Sequence, residues 1–195
     1  IRRVASRGLL TEDGYCVAES FHLLEEALRS DREVATVIAS EEVREPVFQH
    51  LRGLPRVKMI AVPANVFREI STTENSQGVV ALVRPPAWTL EHVLRGQSLV
   101  VMLDGLQDPG NVGTILRSAE AFGATGVICL RNTVSVFNPK CLRASAGSVF
   151  RLPCVVAPEE ELLRVAIKQR NIKLYAAAPR ARQRLDQTDL KAKLA

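Results

Sequence analysis

The sequence is poor in the residues on which metal and acid–base chemistry usually rest. Three histidines, His22, His50 and His92, are scattered along 195 residues, none with a second ligand at metal spacing. They read as surface or structural side chains, and no metal is expected. The four cysteines, Cys16, Cys129, Cys141 and Cys154, form no CxxC pair. Cys129 and Cys154 fall in apolar, strand-like runs, so buried reduced thiols are expected and a disulfide framework is not. No apolar run approaches the ~18–20 residues of a membrane span. No internal repeat or low-complexity segment is present. No nucleophile, histidine base or metal cluster stands out, which disfavours covalent and metal-assisted mechanisms.

What the chain does have is an ordinary globular balance, 47% hydrophobic and 24% charged. Its length accommodates one large or two small domains. The charge is unevenly shared. Residues 1–96 carry 12 basic and 13 acidic side chains, and residues 97–195 carry 14 and 8. A basic half beside a neutral one suits a polyanionic partner, although a solvated basic surface would look the same.

Taken in order, a short basic segment with Arg2, Arg3 and Arg7 leads into alternating β and α patterns. Strands are expected at Tyr15–Glu19, Val34–Ala39, Val57–Val62 and Gly78–Val83. Helices are expected at Phe21–Arg29, Glu41–Arg52 and Ala64–Ile70, with Pro46 in the first turn of the second or breaking it. Arg84-Pro85-Pro86 stops the last strand and stiffens the exit, which makes it the best domain boundary. A first α/β domain over 1–86, a linker over 87–96 and a second domain over 97–195 follow from this reading. The second domain opens with the Leu99 strand. Beyond it a helix is expected over Thr114–Phe122, then strands at Val127–Leu130, Leu152–Val156 and Ile172–Ala177, and a helix at Glu159–Gln169.

The most informative stretch is Leu99–Leu130. A strand runs into the polar loop DGLQDPGNVG, then a helix with Ile115, Leu116, Ala119 and Phe122 at helical spacing, then another strand. Ligands bind at such a place in open α/β sheets. The usual phosphate templates fail here. Asn111 and Val112 stand where the Walker loop needs Lys and Ser/Thr, glycines 105, 110 and 113 do not make GxGxxG, and the loop has no serine for a GxSxG elbow. Asn111, Arg117 and Glu120 remain. Arg117 and Glu120 share one helix face and could be a surface pair worth under ~1 kcal/mol. Asn111 could be the helix cap. Physics alone leaves these alternatives open.

The string DGLQDPGNVGTILRSAEAFGATGVI, residues 104–128, resembles motif 1 of the SpoU-type (TrmH-type) RNA ribose 2′-O-methyltransferases of the SPOUT superfamily. RASAGSVFRLP, residues 143–153, resembles a second motif of that family. CVAES and the β/α order of the first 85 residues resemble its N-terminal substrate-binding domain. The fold implied is α/β: a small N-terminal α/β substrate-binding domain plus a SPOUT trefoil-knot methyltransferase domain. The activity implied is methyl transfer from S-adenosylmethionine to a ribose 2′-hydroxyl of rRNA or tRNA, in the cytoplasm, by a homodimer. Family motif 1 places its arginine at Arg117 and its asparagine at Asn111. The family proposal makes the arginine the base. A guanidinium is effectively always protonated, so a phosphate clamp that also stabilises the developing alkoxide is the preferred role, with Asn111 orienting the ribose.

Glu120, Lys140, Arg143, Ser145 and Arg151 are the implied RNA contacts. The family's main cofactor motifs follow the next strand and open the last helix, and they do not occur before Leu194-Ala195. The expectation is therefore a chain truncated before the knot, with only Ala177, Ala178 and Pro179 to nominate for the cofactor. Two other readings compete: a non-catalytic RNA-binding protein of the same fold, and a small-molecule α/β binding protein.

Overall fold

Small and β-branched residues crowd four short segments of the N-terminal half, and each becomes a strand: β1 (Cys16–Glu19), β2 (Val34–Ser40), β3 (Lys58–Val62) and β4 (Val79–Val83). The computed structural model describes residues 1–54 and 57–178, with Arg184 and Gln187. By packing, these divide into two units.

The first unit comprises Ile1–Ala87, Leu106–Arg117 and Val134–Arg151. Its sheet has the order β1-β4-β2-β3, with β4 antiparallel to both neighbours and β3 parallel to β2. Nearly every residue of β1 and β4 is buried, so both faces of the sheet are covered. One cover is α2 (Phe21–Arg29), whose Leu23, Leu24 and Ala27 lie inward and whose cap, the Ser20 hydroxyl, accepts from the Leu23 N–H. Another face is closed by Ala5, Val17, Ile38, Phe67 and Val80, which draw in α1 (Arg2–Ser6) and α4 (Ala64–Ile70). A 3-10 turn at Glu41–Val43 leads into α3 (Arg44–Leu51), so Pro46 falls in the first turn of an unbroken helix.

A buried carboxylate fixes one edge of this unit. Glu19, 4% exposed, accepts from the Ser71, Thr72 and Thr73 hydroxyls and from the Thr72 N–H, at 2.5–2.8 Å. Burial alone would raise its pKa, but these donors hold the carboxyl down at about 2.

The second unit comprises Trp88–Gly105, Ser118–Thr133 and the chain from Leu152. Its strands are β5 (Val100–Leu103), β6 (Gly126–Cys129) and β7 (Cys154–Val156), which form a parallel sheet in the order β5-β6-β7. Val93, Leu94, Val100, Ile128, Leu163 and Ile172 make its core, contributed in part by α5 (Leu90–Val93) and α8 (Glu160–Gln169). The stretch Ile172–Ala177 does not form the expected strand. Lys173 makes an isolated bridge, and Leu174 and Tyr175 stay exposed, so burial does not hold an extended segment there.

None of the four cysteines is joined in a disulfide; Cys154 is half-buried and the others are buried. Cys129 and Cys154 approach to 3.9 Å between sulfurs, nearly twice a disulfide's length of about 2.05 Å.

Candidate nucleic-acid interface

The polar loop after β5 becomes helical five residues earlier than its glycines suggest. The helix α6 runs Pro109–Ala121. Asp108 is its cap: one carboxylate oxygen accepts the Asn111 N–H at 2.7 Å, and the Asp108 carbonyl accepts the Val112 N–H. Pro109 fills the first helical position, where a missing N–H costs nothing. The capping role weighed for Asn111 therefore belongs to Asp108. Asn111 occupies the third helical position with its side chain exposed.

The other Asp108 oxygen receives the Lys140 ammonium at 3.0 Å. The Asn111 N–H first, and Lys140 second, hold the Asp108 carboxyl below the usual carboxylate range. Lys140 belongs to α7 (Pro139–Ser145), capped by the Asn138 side chain on the Lys140 N–H. The two helices touch at Gly113. A Cβ there would lie 2.4 Å from the Cys141 carbonyl, 2.7 Å from Ala144 Cβ and 2.9 Å from the Ser145 nitrogen. Only glycine lets α6 and α7 cross this closely.

The buried stripe of α6 is Val112, Leu116 and Ala119, at i, i+4 and i+7. Phe122, expected on that stripe, points outward and is 85% exposed. Opposite the stripe, Arg117 is exposed and has no ion-pair partner among the described residues. Glu120 lies three residues on and is half-buried. Arg143 is exposed on α7.

Two nominated RNA contacts are used differently. Ser145 is fully buried, and its hydroxyl donates to the Leu142 carbonyl at 2.8 Å. It supports the helix crossing from beneath and presents nothing to solvent. Arg151 pairs with Glu26 of α2. Gly147, at φ +87°, passes against the same Glu26, whose Cβ would stand 2.6 Å from any side chain placed there. Ala177 and Ala178 are exposed and belong to no regular element. Pro179, nominated with them, lies outside the described residues.

Sequence reasoning missed Asp108, Gly113 and Glu26. Asp-Pro is a cap-and-first-turn signature that names the first. Gly113 reads from sequence as a loop glycine, and the Glu26–Arg151 pair, 125 residues apart, carried no signal.

Chemically, the arrangement offers an exposed amide, exposed guanidinium groups and an anchored ammonium. Among the described residues no group of His, Cys, Asp or Glu side chains could hold a metal. Also among them, no helix is long and apolar enough to cross a membrane.

The model of the SpoU rRNA Methylase family matches residues 98–195, and that for RNA 2′-O ribose methyltransferase substrate binding matches 20–89. The 23S rRNA (guanosine(2553)-2′-O)-methyltransferase RlmP of Bacillus subtilis is 34% identical over 145 residues, 74% of this chain and 55% of RlmP. The human mitochondrial rRNA methyltransferase 3 is 30% identical over 159 residues, 78% of this chain and 37% of that protein. The chain thus spans about half the length, or less, of these two relatives. Among solved structures, the SpoU methyltransferase AviRb from Streptomyces viridochromogenes, in complex with the cofactor AdoMet, superposes with a TM-score of 0.75 at 28% identity. That match covers 88% of this chain and 70% of AviRb. An RNA 2′-O ribose methyltransferase crystal structure gives a TM-score of 0.74 at 29% identity, covering 98% and 76%.

Proposed function

The chain belongs to the SpoU rRNA methylase family, and from that premise we propose that it serves methyl transfer from S-adenosylmethionine to a ribose 2′-hydroxyl of rRNA. Residues 1–86 are the RNA substrate-binding domain, 87–96 the linker and 97–195 the methyltransferase domain. The two family matches, falling either side of residue 90, support this division. By the same family reasoning the working form is a homodimer in the cytoplasm, with Phe122 among the exposed apolar side chains a second copy would cover.

S-adenosylmethionine supplies an activated sulfonium methyl. What the chain must do is hold the ribose in line and stabilise its oxygen as the proton leaves. Arg117 stays protonated, so it serves as a phosphate clamp and as a fixed positive charge beside the developing alkoxide. The Asn111 amide has a donor and an acceptor for ribose hydroxyls, and its backbone is already tied to Asp108. Lys140 and Arg143 contact phosphates. Glu120 shares the Arg117 face. Ser145 and Arg151 act from behind, through the helix crossing and through Glu26.

For the cofactor the nominated segment is Ala177, Ala178 and Pro179. The Ala177 and Ala178 backbone is open to a ligand, and Pro179 follows it. Neither alanine side chain carries a group for the cofactor's charges, so no step is assigned to this segment.

The observation that carries the reading is Arg117, exposed and without an ion-pair partner among the described residues, on a helix whose start is fixed by Asp108 and Lys140. The test is labelled-methyl transfer from S-adenosylmethionine to bulk cellular RNA, followed by mapping of the modified nucleotide. Label at a ribose 2′-oxygen is expected, and Arg117→Ala lowers the rate by about 10²–10³ with an unchanged melting temperature. Label on a base, or full turnover by Arg117→Ala, overturns the assignment. Salt-dependent RNA affinity without transfer means a non-catalytic RNA-binding protein.

A further inference from the structure

Resting on that RNA reading, we infer that the N-terminal segment, through Arg2, Arg3 and Arg7, is a second contact surface for the RNA sugar–phosphate backbone, continuous with α7. The segment is held in place by few groups. The helix α1 buries only Ala5, which is 1% exposed within the cluster of Val17, Ile38, Phe67 and Val80. Nothing in that packing needs three arginines. Arg2, Arg3 and Arg7 are all exposed, and none has an ion-pair partner among the described residues.

The segment is pinned next to α7. The Ser135 hydroxyl donates to the Gly8 carbonyl at 2.5 Å, and a Cβ on Gly8 would stand 3.0 Å from the Asn138 nitrogen. Asn138 is the cap of α7. Arg7 therefore adjoins the start of the helix that carries Lys140 and Arg143. The stretch 134–151, in the same packed unit, contains three cations, Lys140, Arg143 and Arg151, and no carboxylate. Asp108 balances Lys140 and Glu26 balances Arg151, which leaves the Arg143 charge uncompensated by any ion pair among the described residues. The acids nearest in sequence to the N-terminal arginines, Glu12 and Asp13, come after the Gly8 pin, in a turn closed by the Thr11 N–H on the Tyr15 carbonyl.

Exposed cations on adjoining elements attract a polyanion over about a Debye length. Arginine suits phosphate oxygens in particular, because its planar fork donates two parallel hydrogen bonds.

The experiment is fluorescence anisotropy of the full chain on a labelled RNA stem–loop across a monovalent salt series. The variants are Arg2→Gln/Arg3→Gln/Arg7→Gln, single Arg7→Gln, and a triple Lys replacement at the same positions. Removing one phosphate-bound cation flattens the log affinity–log salt slope by roughly 0.7–0.9, so the triple Gln variant loses about 2–3 and Arg7→Gln just under 1. The Lys triple keeps the slope, and unchanged melting temperatures show that the fold is intact. A triple Gln variant with the parent's slope overturns the inference while leaving the methyltransferase reading standing. A parent chain with no salt-dependent RNA affinity overturns that reading, and the inference with it.

Discussion

Glu19 shows how much one buried side chain can organise. Four hydrogen bonds converge on its carboxylate from the Ser71–Thr73 turn, and they outweigh the desolvation, which by itself raises its pKa. Because its folded pKa, about 2, lies below the ordinary glutamate value of 4.5, its contribution is fully present above pH 4.5. That contribution, about 3 kcal/mol, is lost as pH falls from 4.5 toward 2. Glu19→Gln takes away the charge and sets an amide N–H₂ among hydroxyl donors. It is expected to cost about 2–3 kcal/mol at neutral pH. The gap to the parent should close on acidification, as read from urea unfolding at a series of pH values. A constant gap down to about pH 3 would show that Glu19 fills space and nothing more. None of this was legible in CVAES, since the donors come from residues more than 50 positions away.

The crossing of α6 and α7 depends on one hydrogen atom in place of a methyl. Alanine is the better helix former by about 1 kcal/mol, so propensity alone favours Gly113→Ala. Sterics oppose it more strongly, because three atoms of α7 lie 2.4–2.9 Å from the new Cβ and two of them are backbone. The net expectation is a loss of about 1–3 kcal/mol. Methyl transfer should fall further than stability, since Lys140 leaves Asp108 when the helices part. An unchanged urea midpoint would show that the helices can separate freely.

At this scale the sequence was readable where periodicity and caps are local. The helices Phe21–Arg29 and Ala64–Ile70 have the expected limits. It was misleading at DGLQDPGNVG, where glycines signalled loop and the Asp-Pro cap signalled helix. Spacing placed Phe122 with Leu116 and Ala119, but Phe122 follows the last helical residue and turns out to solvent.

The charge of the molecule also reads differently in space than along the chain. By sequence the basic excess belongs to residues 97–195. By packing, Lys140, Arg143 and Arg151 belong to the same unit as the neutral N-terminal sheet. That unit is held together by interactions a linear cut would break. The helix α7 packs on β1, Arg151 neutralises the largely buried Glu26, and Ser135 pins Gly8. Residues 1–87 produced alone keep their four strands but lose these partners. Glu26 then retains its helical neighbour Arg29, whose side chain is 69% exposed and contributes little. Uncovering the β1 face removes apolar burial as well, for a total deficit of roughly 2–4 kcal/mol, a large part of a small domain's margin. The fragment is therefore expected to unfold at lower urea than the same residues within the full chain, followed by hydrogen-exchange protection of the β2 and β4 amides. A coincident midpoint would mean that the sheet and its own helices suffice, and that the 134–151 segment draws its stability from them without returning any.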